Sequence, residues 1–313
     1  MAETLTMDRL GDTLSTVGES PLWAVDEQAL YWVDIEGRRL HAWSRNPAPG
    51  QAQARQWTLA ERPACIALHA QGGLVCALES SVVHLRFDAH GQLTQSPLAL
   101  AQHAQAGMRF NDGRCDRGGR FWVGSMLMDM SQAAPVGRLY RMDGTVGLPS
   151  PPLAPTPFLL PFPLIVPNGL AFSPDGRTMY LSDSHPSVRQ IWQFTLSDTG
   201  MPGARRPFVD MNLHPGRPDG AAVDSDGAYW CCANDAGLVH RFTPEGRLDR
   251  SIAVPAAKPS MCAFGGPQLD ELYITSIRPP VPPAGQEATA GATFVCRPGV
   301  QGLAETPFRA PAR

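Results

Sequence analysis

An all-β fold is predicted by three features of this sequence. Glycine and proline number 30 and 31 of 313 residues, so turns punctuate the chain throughout and long helices are disfavoured. Stretches such as Leu-Tyr-Trp-Val-Asp at 30–34 and Met-Tyr-Leu-Ser-Asp at 179–183 have the length and the aromatic and β-branched content of strands. One pattern also recurs along the chain, with a period of about 40 to 50 residues.

The pattern is an apolar stretch, a Gly or Asp-Gly turn, a second stretch rich in aromatic residues, and a third, alternating stretch. The first copy starts at Ser20 (SPLWAVDEQALYWVDIEGRRLHAW) and turns again at Glu36-Gly37; the second starts at Cys65 (CIALHAQGGLVCALESSVVHLRF). The third joins DGRCDRGGRFWVGSM to GRLYRM, and the fourth, from Asn168, turns at Pro174-Asp175-Gly176. The fifth is DGAAVDSDGAYWCCANDAGLVHRF from Asp219, and the sixth joins CAFGGPQLDELYITSI to ATFVCRP. A small sheet cannot bury both faces alone, so six such units must stack around an axis. The prediction is a six-bladed β-propeller, one domain over 1–313 with its blades in about 15–300.

Two segments depart from the pattern. Residues 145–167 are rich in proline, which cannot donate to a sheet ladder, and are expected to form an edge or an extended loop. Phe158, Leu160 and Phe162 then either wall one side of the channel mouth or pack as a surface connection. Residues 301–313 show no strand pattern and are expected to be a loose tail.

The net charge of −3 and dispersed Lys and Arg offer no basic field for a phosphate backbone, so nucleic acid is not an expected partner. The first residues lack a basic and apolar leader, and no run approaches the roughly 18 apolar residues of a membrane span. A soluble cytoplasmic protein, monomeric or a small homo-oligomer, acting on a small molecule, is expected. The seven cysteines contain no C-x-x-C pair and are read as buried thiols, neither a zinc site nor a disulfide framework.

Propeller loops bring residues far apart in sequence to one mouth of the central channel. Glu19, Asn111, Asn168 and Asp219 stand just before or at the start of a repeat's first strand. Taken singly, Asn-Gly and Asp-Gly are ordinary turn dipeptides; recurrence at one point of the repeat marks a site. Its donors are all oxygen, which suits one hard divalent cation. Calcium is favoured, with zinc, magnesium and manganese left open.

The motifs GESPLW, RFNDG, PNGLAFSPDGRTMYLSDS and PDGAAVDSDGAYW, in this order, resemble the SMP-30/gluconolactonase/luciferin-regenerating (regucalcin) family from about Glu19 to Ile277. The resemblance implies a six-bladed propeller with one catalytic divalent metal in its channel and hydrolysis of sugar lactones to aldonic acids. Glu19, Asn168 and Asp219 match the family's metal ligands, and Arg109 and Asn111 its substrate contacts. Asp129, in SMLMDM, stands where the family often has an acidic substrate contact, one methylene shorter where that residue is Glu.

A lactone needs a polarised carbonyl, an activated water and a proton for the leaving alkoxide. Asp219 is the candidate for accepting the water's proton, with a role as ligand alone as the alternative. Arg109 and Asn111 read as a clamp for polyol hydroxyls, and Asp112 as a residue orienting them. Asp183 is read as either ligand or turn residue, and His185 as a loop residue. No G-x-S-x-G elbow surrounds Ser125, and neither H-E-x-x-H nor a nucleotide-binding loop occurs. The competing readings are a non-catalytic calcium-binding propeller and a metal-dependent aryl ester or phosphotriester hydrolase.

Overall fold

Six four-stranded antiparallel sheets follow one another along the chain. Residues 5–144, 156–158, 160 and 162–309 are described in the computed structural model, with 156–158 described in backbone only. The innermost strands are Gly18–Ala24, Cys65–Leu68, Met108–Cys115, Pro167–Phe172, Arg217–Val223 and Pro259–Gly265, one for each of blades 1 to 6. These are the strands predicted to open each repeat, and the six-bladed propeller expected from the repeats is observed. Among the described residues no helix is long and apolar enough to cross a membrane.

The faces that a single sheet cannot bury are covered by its neighbours. Six apolar clusters fill the six seams between blades. At the seam of blades 6 and 1, Trp23 stacks on Tyr273 at 5.4 Å; between blades 4 and 5, Tyr180 meets Tyr229 at 5.0 Å. Buried aromatics of this kind contribute about 2–3 kcal/mol each by area and about 1 kcal/mol more through ring geometry. All seven cysteines are buried and free, as the sequence predicted.

Both ends of the chain do more than their sequences announced. Asp8–Arg9 pairs with Phe294–Cys296 as the outermost strand of blade 6, so the first residues close the ring onto the last strands. The sheets thus begin before the residue-15 boundary predicted for the blades. The loose tail expected from residue 301 is corrected through residue 309. Phe308 is buried and bonded through its backbone to Leu68 and Ala70, and Gly302 donates to Leu269. These contacts pair the tail with other blades' turns, which no local strand pattern can announce.

Candidate functional site

In five of the six blades the innermost strand slips register against its neighbour at one equivalent place. The slips fall between Glu19 and Leu22, Phe110 and Gly113, Asn168 and Ala171, Pro218 and Ala221, and Pro259 and Cys262. A bulge re-aims side chains out of the ladder. Here four bulges carry the residues singled out by their place in the repeat: Glu19, Asn111, Asn168 and Asp219. In blade 4 the bulge requires glycine: Gly169 has φ +62°, and a Cβ there would lie 2.3 Å from the Tyr229 hydroxyl.

Two of these residues, Asn111 and Asn168, join Arg109 in one hydrogen-bonded chain. Arg109 Nη1 donates to Asn111 Oδ1 (2.7 Å) and to Phe110 O (2.7 Å). Asn111 Nδ2 donates to Asn168 Oδ1 (2.9 Å) and Pro167 O (2.9 Å). Asn168 Nδ2 donates to Ser184 Oγ (2.7 Å), whose hydroxyl donates to Pro218 O in the next blade. Asp219 is held separately, its Oδ2 accepting from Asn234 Nδ2 at 2.6 Å.

Electrostatics ties the acidic residues together. Burial, reinforced by the charges of Asp219 and Asp112, drives the Glu19 carboxyl well above the ordinary range, against the Ser20 amide and Arg109. Glu19 nevertheless keeps part of its surface exposed. Burial likewise pushes Asp219 up to about 7, against the Asn234 hydrogen bond and the Arg217 charge. Asp112 is raised by burial as well, although its Oδ2 accepts from Leu170 N at 2.8 Å; its buried Oδ1 has no hydrogen-bond partner. Among the described residues no carboxylate lies in salt-bridge range of Arg109.

The mutual charge of Glu19, Asp219 and Asp112, and the unpartnered Oδ1 of Asp112, are what a hard divalent cation would relieve. No cluster of three His, Cys, Asp or Glu side chains poised for a metal occurs among the described residues. Glu19 and Asp219 are coupled by charge, and Asn168 reaches the strand of Asp219 through Ser184 and Pro218 O.

The remaining candidates separate. Asp129 is exposed and spends its oxygens locally, capping the short 3-10 turn Met130–Gln132 through Ser131 and Gln132. Asp183 is buried and serves backbone amides of Ile165, Val166 and His185, which makes it a structural turn residue. His185 bonds Ser187 in an exposed loop. Phe162 packs on Trp192 at 5.3 Å and under the Arg205 guanidinium, against blade 4 and away from the channel; the Phe158 side chain lies outside the described residues. Two residues were missed in the sequence, Ser184 and Asn234. Both stand where a blade's second strand reaches the mouth, one place in the repeat that marks them as clearly as the first strand marks Glu19.

With this geometry in hand, the profile described as SMP-30/Gluconolactonase/LRE-like region matches residues 17–278. The chain belongs to that family. It is 38% identical over 301 residues to the 6-deoxy-6-sulfogluconolactonase of Pseudomonas putida, covering 94% of this chain and 95% of the relative. It is 33% identical to the L-arabinolactonase of Azospirillum brasilense, covering 96% and 94%. In three dimensions it superposes on the calcium-binding protein regucalcin from Agrobacterium tumefaciens with a TM-score of 0.83, at 25% identity and 98% coverage of both chains. The family expected from the sequence motifs is the family whose profile the chain matches.

Proposed function

We propose that this family member is a divalent-metal-dependent hydrolase of sugar lactones, converting aldonolactones to aldonic acids. The observation that carries the reading is the continuous chain from Arg109 through Asn111 to Asn168, set beside the carboxylates of Glu19 and Asp219. A calcium-binding propeller without catalysis has no use for a polyol clamp wired to its ligands. Relatives named as sulfogluconolactonase, L-arabinolactonase and pentonolactonase support the substrate class.

Glu19, Asn168 and Asp219 would hold the cation, with calcium favoured by the all-oxygen donor set. When bound, the cation supplies Lewis-acid polarisation of the lactone carbonyl and raises the acidity of a nearby water. Arg109 contributes a guanidinium with no carboxylate in salt-bridge range among the described residues, ready to fork onto ring hydroxyls or onto the oxygen that gains charge. Asn111 both donates and accepts, and its contact with Asn168 fixes the clamp relative to the ligand set. Asn234 occupies Asp219 Oδ2, so Oδ1 is the oxygen that takes the proton of the attacking water. As the bond from water oxygen to the carbonyl carbon forms, the ring C–O bond breaks, and that proton passes to the leaving alkoxide.

The test is proton release from a panel of hexonolactones and pentonolactones, using chelator-stripped protein with and without Ca2+, Mn2+, Mg2+ or Zn2+. Turnover restored by an ion supports the reading; silence across the panel with the ion bound removes it. Arg109→Ala should lower kcat/KM by about 100-fold or more while ion affinity is kept. Equal loss of both would place Arg109 among the ligands' supports and out of the substrate clamp.

A further inference from the structure

The channel has a second end, opposite the ligand set, and the C-terminal segment closes it. Residues 301–309 cross that end from blade to blade. Gln301 O accepts from Ser225 N in blade 5, Gly302 N donates to Leu269 O in blade 6, and Ala304 O accepts from Arg117 Nη1 in blade 3. The segment finishes on blades 2 and 3, where Phe308 bonds Leu68 and Ala70 and Arg309 N donates to Gly119 O.

Midway along this crossing, Glu305 turns into the channel. Its Oε1 lies 3.6 Å from Arg114 Nη1, with only 15% and 11% of the two side chains exposed. Two cavities of ≈ 10 Å³ each lie around this pair, and together they touch the innermost strands of all six blades. The pair therefore sits on the channel axis, in space that admits about one water per cavity. A charge pair so enclosed is weakly screened, and removing one member leaves the other buried and unpaired.

Arg114 is linked upward to the site. It lies two residues beyond Asp112 on the same strand, and both side chains are buried. Asp112 Oδ2 in turn holds the Leu170 amide at 2.8 Å, inside the blade 4 bulge that presents Asn168. We propose that residues 301–309 plug the far end of the channel, and that Glu305 is a positioning residue acting through Arg114 and Asp112 on the bulge that presents Asn168. The proposal rests on the reading of Glu19, Asn168 and Asp219 as the ligands of a cation, and it adds that the chain's last segment tunes them from below.

The experiment is calorimetric titration of chelator-stripped wild type, Glu305→Gln and Phe308→Ala with Ca2+ and with Mn2+, alongside thermal melts. Phe308→Ala loosens the plug's anchor without touching a charge. Glu305→Gln should weaken both ions by about three- to tenfold, below the roughly 10–100-fold of a residue that contacts a ligand directly. Phe308→Ala should lower the melting temperature while affinity stays within about twofold of wild type, the size of a packing change that leaves the charges in place. Glu305→Asp keeps the charge but shortens the arm, and gives the same reading where the glutamine variant does not fold. Unchanged affinity in the Glu305 variants overturns the proposal, as does a loss that tracks melting temperature equally in the Phe308 variant. Wild type that binds neither ion overturns the ligand assignment and the proposal with it. Wild type that binds ions but opens no lactone ends the lactonase reading alone, since the role of Glu305 is judged on affinity.

Discussion

Replacing Asp219 by Asn should stabilise the metal-free protein at pH 8 and abolish its response to divalent ions. The two side chains have nearly the same shape, and an amide oxygen can accept from Asn234 Nδ2 as the carboxylate does at 2.6 Å. What changes is the charge. The Asp219 carboxyl moves from 3.8 to about 7 on folding without metal. Between those values the native state keeps a proton that the unfolded chain has released, so stability falls as pH rises through this window. Above it the full cost is present, about 4 kcal/mol at about 1.4 kcal/mol per tenfold change in proton affinity. Glu19 and Asp112 are coupled to this carboxyl by charge and relax when one charge is removed, so about half, roughly 2 kcal/mol, is expected on substitution. That corresponds to a rise of roughly 2–6 °C in the melting temperature at pH 8 and none near pH 4. The assay is a set of circular-dichroism melts of chelated wild type and Asp219→Asn across this range, repeated with saturating Ca2+ or Mn2+. Added ion should raise the wild-type melt and leave the variant unmoved. A variant that melts at or below wild type at pH 8 without metal, or that keeps the ion-induced rise, would refute the picture of a carboxylate buried for a cation.

Two further outcomes follow from local geometry. Gly169→Ala places a methyl 2.3 Å from the Tyr229 hydroxyl and 2.8 Å from Ser182 Oγ at a positive φ. A loss of about 2 kcal/mol or more in denaturant unfolding is expected, and weaker ion binding with it, because the bulge aims Asn168; a variant as stable as wild type would show the bulge to be pliable. Asp129→Ala removes only a cap, so kcat/KM should stay within about twofold and stability within about 1 kcal/mol. A tenfold fall in kcat/KM would return Asp129 to the substrate site despite its exposed, locally satisfied carboxylate.

The repeat grammar made the blades legible because each blade is a run of neighbouring hairpins. Its strands pair with the next stretch of chain, so the turns Glu36-Gly37 and Asp175-Gly176 and the aromatic runs around Trp32 and Tyr180 write the sheet into local sequence. The same locality places Glu19, Asn111, Asn168 and Asp219 at one point of the repeat. The bulges that carry them are legible only as a register slip between two strands. Asn234 and Ser184 hold Asp219 and Asn168 from the end of the second strand, and that support is visible only as hydrogen bonds between strands.

By itself, then, the sequence determined the class of fold, the number of blades, the family and the point of the repeat at which the candidate residues stand. Only the tertiary structure decided that Asp8–Arg9 closes the ring, that Asp129 turns away to cap its own loop, and that Glu305 meets Arg114 on the channel axis. A hairpin is encoded by adjacent residues whose period and turn chemistry can be read. A contact such as Arg114 with Glu305 joins segments far apart in the chain; it exists because the assembled blades leave one enclosed space there, and enclosed space has no periodicity in sequence.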